Sequence, residues 1–122
     1  MSKRILVIED QEDNRRIVRD LLASAGYEMI EAATGEEGVA QAEATTPDLI
    51  LMDIDLPGMN GYEATRRVKS NPALRRIPII AVTSYALSGD DAKAYEAGCD
   101  DYVTKPFSPR ALLAKIREYL KD

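Results

Sequence analysis

Histidine and tryptophan are absent from this sequence, and cysteine occurs once, as Cys99. Without histidine, the chain has no histidine nucleophile, no histidine general base and no zinc site of the usual kind. A single cysteine excludes an internal disulfide and a cysteine-built metal site. We expect Cys99 to be a buried and inert thiol. The chemistry of this chain must therefore be carried by other residue types.

A surplus of positive charge and long apolar runs are also missing. The 122 residues include 16 Lys and Arg against 21 Asp and Glu, a net charge of −5, which argues against nucleic acid as a direct ligand. No apolar run approaches the length that spans a membrane, and we expect no secretory leader, because the sequence shows no segment with a basic start and an apolar centre of that kind. The composition, 45% hydrophobic and 30% charged, is typical of a globular domain. We expect one cytoplasmic domain that does not contact a membrane.

Strand and helix signals alternate from one end of the chain to the other. Thr34 with Glu37 is a capping box, and Ser108 followed by Pro109 is a second helix start. Such alternation predicts an α/β fold, a five-stranded parallel sheet with helices on both faces. The predicted strands comprise Ile5–Ile8, Met29–Ala32, Leu49–Met52, Ile79–Val82 and Tyr102–Val103. The first predicted helix is marked by Ile17, Val18, Leu21, Leu22 and Ala25 at helical spacing.

Charged residues follow three of these predicted strands. Glu9 and Asp10 follow the first, Asp53 follows the third, and Lys105 lies just beyond the fifth. In open α/β sheets the site lies beyond the carboxyl ends of the strands, so these side chains should converge. Three clustered carboxylates require a cation among them, and their hard oxygen ligands suit Mg²⁺. The expected chemistry is phosphoryl transfer.

Four residues at strand ends carry this interpretation together. Asp53 has the position of a nucleophile or metal ligand, while Thr83 and Lys105 have the position to contact phosphoryl oxygens. The Lys105–Pro106 bond is a candidate for the cis form, which would aim the lysine inward. Taken singly, each residue has an ordinary interpretation as a cap, a turn former or a solvated charge. Their shared position at strand ends favours the interpretation that they form a functional site.

With these motifs, the chain resembles the receiver domain of two-component response regulators over essentially its whole length. Its length is similar to that of the stand-alone, single-domain regulators of the DivK type, so residues 1–122 are expected to form one receiver domain without an output domain. The resemblance implies the flavodoxin-like strand order 2-1-3-4-5, for which receiver domains are themselves a known example. The matching segments are Ile5–Asp10, Pro47–Gly61, Ile79–Ser84 and Gly98–Phe107.

The resemblance also implies a phosphoacceptor and a metal site. Asp53 would accept a phosphoryl group from a phosphohistidine of a partner, which would be a sensor histidine kinase or a histidine phosphotransfer protein. Glu9, Asp10 and Asp53 would hold Mg²⁺, and the main-chain carbonyl of Asp55 would complete the protein ligands. The chain would act as a signalling protein rather than an enzyme, with at most slow self-dephosphorylation.

A conformational switch is implied as well. Thr83 and Lys105 would bind the phosphoryl oxygens, and the Tyr102 ring would turn inward when Thr83 moves toward the phosphate. The surface of the fourth helix, fifth strand and fifth helix would then carry the signal to a downstream protein target. We further expect Tyr85 to shield the phosphoryl group from water.

Several other side chains are expected simply to face the core or the solvent. Ala92 and Tyr95 are expected to face the core. Two pairs of arginines are expected on solvated helix faces, with contact to a partner kinase as the alternative for the first pair. These pairs are Arg15 with Arg16 and Arg66 with Arg67.

Three alternatives remain at this stage. Asp53-Ile54-Asp55 after an apolar strand is also similar to the haloacid-dehalogenase phosphatase pattern, although here the motif lies mid-chain and an acid pair precedes it. A binding module that never takes phosphate would have no use for the intact acid cluster. A receiver excised from a hybrid kinase would keep the chemistry and change only the context.

Overall fold

The computed structural model describes residues 2–83 and 90–120, and strands and helices alternate throughout them. The strands are β1 (Arg4–Ile8), β2 (Glu28–Ala32), β3 (Leu49–Asp53), β4 (Ile79–Thr83) and β5 (Asp101–Thr104). The helices are α1 (Glu12–Ser24), α2 (Gly35–Thr45), α3 (Gly61–Ser70), α4 (Asp90–Ala97) and α5 (Pro109–Tyr119). The longest described helix, α1, has 13 residues, and no helix in this part of the chain could span a bilayer.

The five strands form one parallel sheet in the order β2-β1-β3-β4-β5. This confirms the α/β fold class and the flavodoxin-like order. The central strands β3 and β4 are buried along their whole length, as expected for strands covered on both faces. The weaker strand β2 lies at an edge of the sheet. Because all strands are parallel, their carboxyl ends lie at the same edge.

Alternate residues of each strand face two separate hydrophobic clusters, because successive side chains of a strand point to opposite faces. Leu6 and Ile50 contribute to the cluster under α2, α3 and α4, while Ile5 and Leu49 contribute to the cluster under α1 and α5. Helices therefore cover both faces, as predicted. Cys99 is buried in the first of these clusters, and burial raises the pKa of its thiol above the ordinary value.

The predicted caps form. The Thr34 side chain accepts a hydrogen bond from the Glu37 N–H at 3.0 Å, and the Glu37 carboxylate accepts one from the Ala33 N–H at 3.1 Å. Ser108 accepts from the Ala111 N–H at 3.3 Å at the start of α5. These contacts satisfy N–H groups that have no partner within the helix, so each helix begins where the local sequence specifies.

Three apolar side chains do not lie where helical spacing predicts. Ile17 is 53% exposed, although it belongs to the apolar pattern of α1. Ala92 and Tyr95 were expected to face the core, and this expectation is wrong, because both are exposed and Tyr95 is 48% accessible. In α4 the residues that pack on the sheet are Ala94 and Ala97, so Tyr95, about 100° further around the helix, faces outward.

A glycine allows α3 to approach the carboxyl end of β3. A Cβ at Gly61 would overlap the Asp53 carbonyl oxygen and lie 2.7 Å from Ile54 Cα. The Gly61 N–H donates to the Ile54 carbonyl oxygen at 3.2 Å, so the helix start and the strand end are directly joined. Backbone atoms have little room to move at such a contact.

We therefore predict that Gly61→Ala destabilises the fold. The added methyl group should cost about 1–3 kcal/mol of unfolding free energy, because it forces the start of α3 away from β3. Urea denaturation followed by circular dichroism measures this change. The control is Arg66→Ala, at an exposed position of the same helix, which should stay within about 0.5 kcal/mol of the wild type. Equal stability of the two variants would contradict the close-contact explanation.

Candidate functional site

The first strand ends in an acidic turn. Glu9 directly follows β1 and is 6% exposed, and its N–H donates to the Ala32 carbonyl oxygen at 3.0 Å, the last contact of this strand with β2. Beyond this point the chain leaves the sheet, and the Gln11 N–H donates back to Glu9 Oε2 at 3.0 Å. Successive side chains of a strand point to opposite faces of the sheet, but here the strand has opened into a turn. The adjacent side chains of Glu9 and Asp10 can therefore lie in one cluster.

Asp53, the last residue of β3, lies beside this turn and is 3% exposed. Its Oδ1 accepts a hydrogen bond from the Asp55 N–H at 2.9 Å. Carboxylate oxygens of Glu9, Asp10 and Asp53 all lie within 4.8 Å of one another. Tertiary structure thus brings together three acids that are up to 44 positions apart in the sequence.

Lys105 supplies the positive charge of the cluster. Its Nζ lies 3.2 Å from Glu9 Oε1 and 3.2 Å from Asp53 Oδ2. The Lys105–Pro106 bond is cis, as the sequence suggested, and the Lys105 N–H donates to the Thr83 carbonyl oxygen at 2.7 Å. The contacts of Nζ with both carboxylates show that the ammonium group is directed into the site from the end of β5.

Burial and charge act against each other at this site. Burial raises the pKa of the Glu9 carboxyl above its ordinary value; the Gln11 N–H opposes this shift, the Asp53 carboxylate adds to it, and Lys105 opposes it. Burial alone would lower the pKa of Lys105, but Asp53 and Glu9 outweigh this effect and raise it. One ammonium thus partly compensates several closely placed carboxylates.

Of the remaining predicted residues, Thr83 and Asp55 lie at the same edge. Thr83 is the last residue of β4 and is 5% exposed, and the register pairs Asp53 with Val82, directly before it. Tyr102 is half-buried on β5, and its ring meets Tyr95 edge-on with centroids 6.1 Å apart. The Asp55 side chain is exposed. Tyr85 lies outside the described residues, so its predicted shielding role stays a prediction.

The donor set fits a hard divalent cation. Carboxylates are the ligands that Mg²⁺ prefers among protein side chains, and among the described residues no histidine or cysteine, which would suit a softer metal, joins the cluster. Asp10 is only half-buried, so the cluster opens on its side toward solvent. That opening leaves space for water and phosphate oxygens, which usually complete the coordination of Mg²⁺.

One residue of the site was missed by the sequence analysis. Arg15 was predicted on a solvated helix face, but it is 15% exposed and its Nη1 donates to the main-chain oxygen of Glu9 at 2.6 Å. Spacing within α1 carries no signal for this position, because the contact depends on where α1 lies relative to β2. Its neighbour Arg16 is exposed, as are Arg66 and Arg67, in agreement with the prediction.

Comparisons with known proteins agree with this geometry. Residues 5–117 match the response regulator receiver domain family. The chain is 42% identical over 122 residues to the polar-differentiation response regulator DivK of Brucella ovis, covering 100% of this chain and 99% of the relative.

Solved structures show the same likeness. A putative response regulator from Chloroflexus aurantiacus superposes with a TM-score of 0.95 at 31% identity, with both chains fully covered. The receiver domain of the sensor histidine kinase PA1611 from Pseudomonas aeruginosa superposes with a TM-score of 0.92 at 37% identity, again with both chains fully covered. That structure holds a magnesium ion in its active site cleft. On its sequence match, its fold and its acidic cleft, the chain belongs to the response regulator receiver domain family of two-component signalling.

Proposed function

We propose that this chain accepts a phosphoryl group from a partner's phosphohistidine onto Asp53 in a Mg²⁺-dependent reaction. The observation that carries the proposal is the convergence of Glu9, Asp10 and Asp53 within 4.8 Å, with Lys105 between two of them. Receiver domains as a family are phosphorylated by histidine kinases and signal to downstream targets. Because these 122 residues contain no histidine, the phosphohistidine donor lies outside them.

Asp53 is the proposed nucleophile. The Asp55 N–H on Oδ1 and the Lys105 ammonium on Oδ2 hold the carboxylate in one orientation. A carboxylate oxygen attacks phosphorus, and a new P–O bond forms as the P–N bond to the partner's imidazole breaks. The bonding electron pair stays on the imidazole nitrogen, which takes up a proton. The product is an aspartyl phosphate on this chain.

Glu9, Asp10, Asp53 and the main-chain carbonyl of Asp55 are the proposed ligands of the metal. When bound, Mg²⁺ would offset negative charge on the phosphoryl oxygens. The support from this chain is its donor set, three carboxylates with an opening toward solvent.

Lys105 and Thr83 are the proposed partners of the other phosphoryl oxygens. Thr83 ends β4, which lies beside β3, and Lys105 directly follows β5, the next strand of the sheet. The Lys105 N–H is bonded to the Thr83 carbonyl oxygen, so the two residues are held together. A positive charge and a hydroxyl donor in a largely buried site stabilise developing charge better than they would in water.

Phosphorylation would be coupled to the surface of α4, β5 and α5. The aspartyl phosphate adds about −1 to −2 of charge and new acceptor oxygens. If the Thr83 hydroxyl moves toward those oxygens, space opens for the Tyr102 ring, which now packs edge-on against exposed Tyr95. Such a change is a population shift between two packings and needs only a few kcal/mol of differential contact.

A DivK-like regulator is the context we favour, because the similarity to DivK extends over 99% of that relative. Family membership argues against a haloacid-dehalogenase-type phosphatase, although the two share an aspartate after an apolar strand. A receiver from a hybrid kinase shares the chemistry proposed here, since the receiver of PA1611 is itself 37% identical. The partners are in either case a phosphohistidine donor and a downstream protein.

Incubation with Mg²⁺ and acetyl phosphate tests the acceptor. Wild type should gain one phosphoryl group by intact mass spectrometry, and chelation of the metal should suppress the adduct. Asp53→Asn should gain none, because its amide is not a nucleophile. The control is Asp55→Asn, which keeps the main-chain carbonyl and should still be modified. An equal adduct on Asp53→Asn would place the acceptor elsewhere, and sustained ester turnover that requires the Asp55 carboxylate would favour the phosphatase.

The contribution of Lys105 can be measured in the same reaction. Lys105→Met should slow adduct formation by about 100-fold, because a preorganised charge on the phosphoryl oxygens is lost. Lys115→Met is the matched control, since its ammonium pairs at 3.1 Å with Asp101, at the opposite end of β5 from Lys105. Similar initial rates for the two lysine variants would show that Lys105 does not act on the phosphoryl group.

Hydrogen exchange tests the switch. Peptides that cover α4, β5 and α5 should change their exchange rates when wild type is phosphorylated, whereas β2 and α2 should not change. Thr83→Ala should still form the adduct but show a smaller change, because it cannot follow the phosphoryl oxygens. A full response in Thr83→Ala, or a response confined to α2, would contradict the proposed coupling.

A further inference from the structure

Arg15 joins the acidic turn to the helix and strand that flank it. Its guanidinium donates from Nη1 to the Glu9 carbonyl oxygen at 2.6 Å, from Nη2 to Glu12 at 2.6 Å and from Nε to Glu31 at 3.2 Å. The planar guanidinium presents these donors at fixed angles, so three acceptors on different elements determine one orientation. The side chain is 15% exposed, and its contacts with the Glu9 carbonyl and with Glu31 are partly buried, which strengthens these charge-assisted hydrogen bonds.

The contact with the Glu9 carbonyl oxygen is the one that bears on the acidic cluster. Glu9 and Asp10 are adjacent, and they reach one place only because the chain leaves the strand between Ile8 and Gln11. The orientation of the Glu9 carbonyl sets the peptide plane that joins Glu9 to Asp10. A side chain that holds this carbonyl therefore holds the relative direction of the two carboxylates.

The neighbouring Arg19 has the same ionic partners and lacks this contact. Arg19 binds Glu31 through Nε at 3.0 Å and through Nη2 at 2.5 Å, and its Nη2 lies 3.5 Å from Glu12. The contacts with Arg19 first, and with Arg15 after it, hold the pKa of Glu31 below its ordinary value. No contact of Arg19 with the Glu9 carbonyl occurs in the described part of the chain. The two arginines thus share an ion-pair network and differ in their contact with the acidic turn.

We propose that Arg15 is a positioning residue for the metal-binding turn, which it holds through the Glu9 carbonyl oxygen. This inference rests on the proposed function, because it assigns the turn to Mg²⁺. Residues that orient metal ligands without touching the metal typically change its affinity by 10- to 100-fold when removed.

Calorimetric titration with Mg²⁺ tests the assignment. Arg15→Met should raise the Kd for Mg²⁺ about tenfold or more, whereas Arg19→Met should change it less than about twofold. Each variant removes one positive charge from the same network, so the general effect of charge on cation binding is shared. Thermal unfolding should show similar losses for both, because both lose contacts with Glu12 and Glu31.

Arg15→Lys provides the rescue. Its ammonium keeps the charge but lacks the planar fork of donors of the guanidinium, so its Kd for Mg²⁺ should lie between those of wild type and Arg15→Met. If Arg15→Met does not fold, a clear rise in Kd for a folded Arg15→Lys supports positioning, and no rise overturns it. Equal shifts for Arg15→Met and Arg19→Met would also overturn it, because the effect would then be one of charge alone.

The result is distinguishable from failure of the proposed function. If wild type binds Mg²⁺ and forms the Asp53 adduct while Arg15→Met matches its Kd, only the positioning role is overturned. If wild type neither binds Mg²⁺ nor forms an adduct, the proposed function falls, and the role of Arg15 falls with it.

Discussion

The Lys105 ammonium between Glu9 and Asp53 is the interaction on which this structure depends. Carboxylates that approach within a few ångströms of one another in a largely buried place repel, and burial itself disfavours their charged forms. The raised pKa of Glu9 is the signature of that conflict. Lys105 offsets part of it from 3.2 Å on each side, and the open side next to Asp10 leaves space for a second cation.

The parallel sheet makes this arrangement possible. Strands buried on both faces run in one direction, so the residues that follow them collect at one edge. Asp53 comes from the middle of the sheet, Glu9 from a strand beside it, and Lys105 from the far edge strand through a long side chain. Close packing keeps these ends in place, as at Gly61, where α3 begins against the backbone of β3.

Residues around the site stabilise its charges as well as its geometry. Backbone N–H groups of Gln11 and Asp55 bind Glu9 and Asp53, so each carboxylate has a donor that carries no net charge. Arg15 binds the Glu9 carbonyl while its own charge is balanced by acids outside the cluster. Negative charge is thereby kept at the place where a divalent cation would bind.

The sequence by itself determined the strands, the helix starts and the acids at the strand ends, because periodicity and caps such as Thr34 depend on neighbours a few positions away. Only the tertiary structure decided that Arg15 is half-buried and Tyr95 exposed. Arg15 owes its position to Glu31, 16 residues away on an edge strand, and Tyr95 to the way α4 rests on Ala94 and Ala97. Contacts of this kind depend on how elements pack against each other, and local sequence patterns carry no record of that packing.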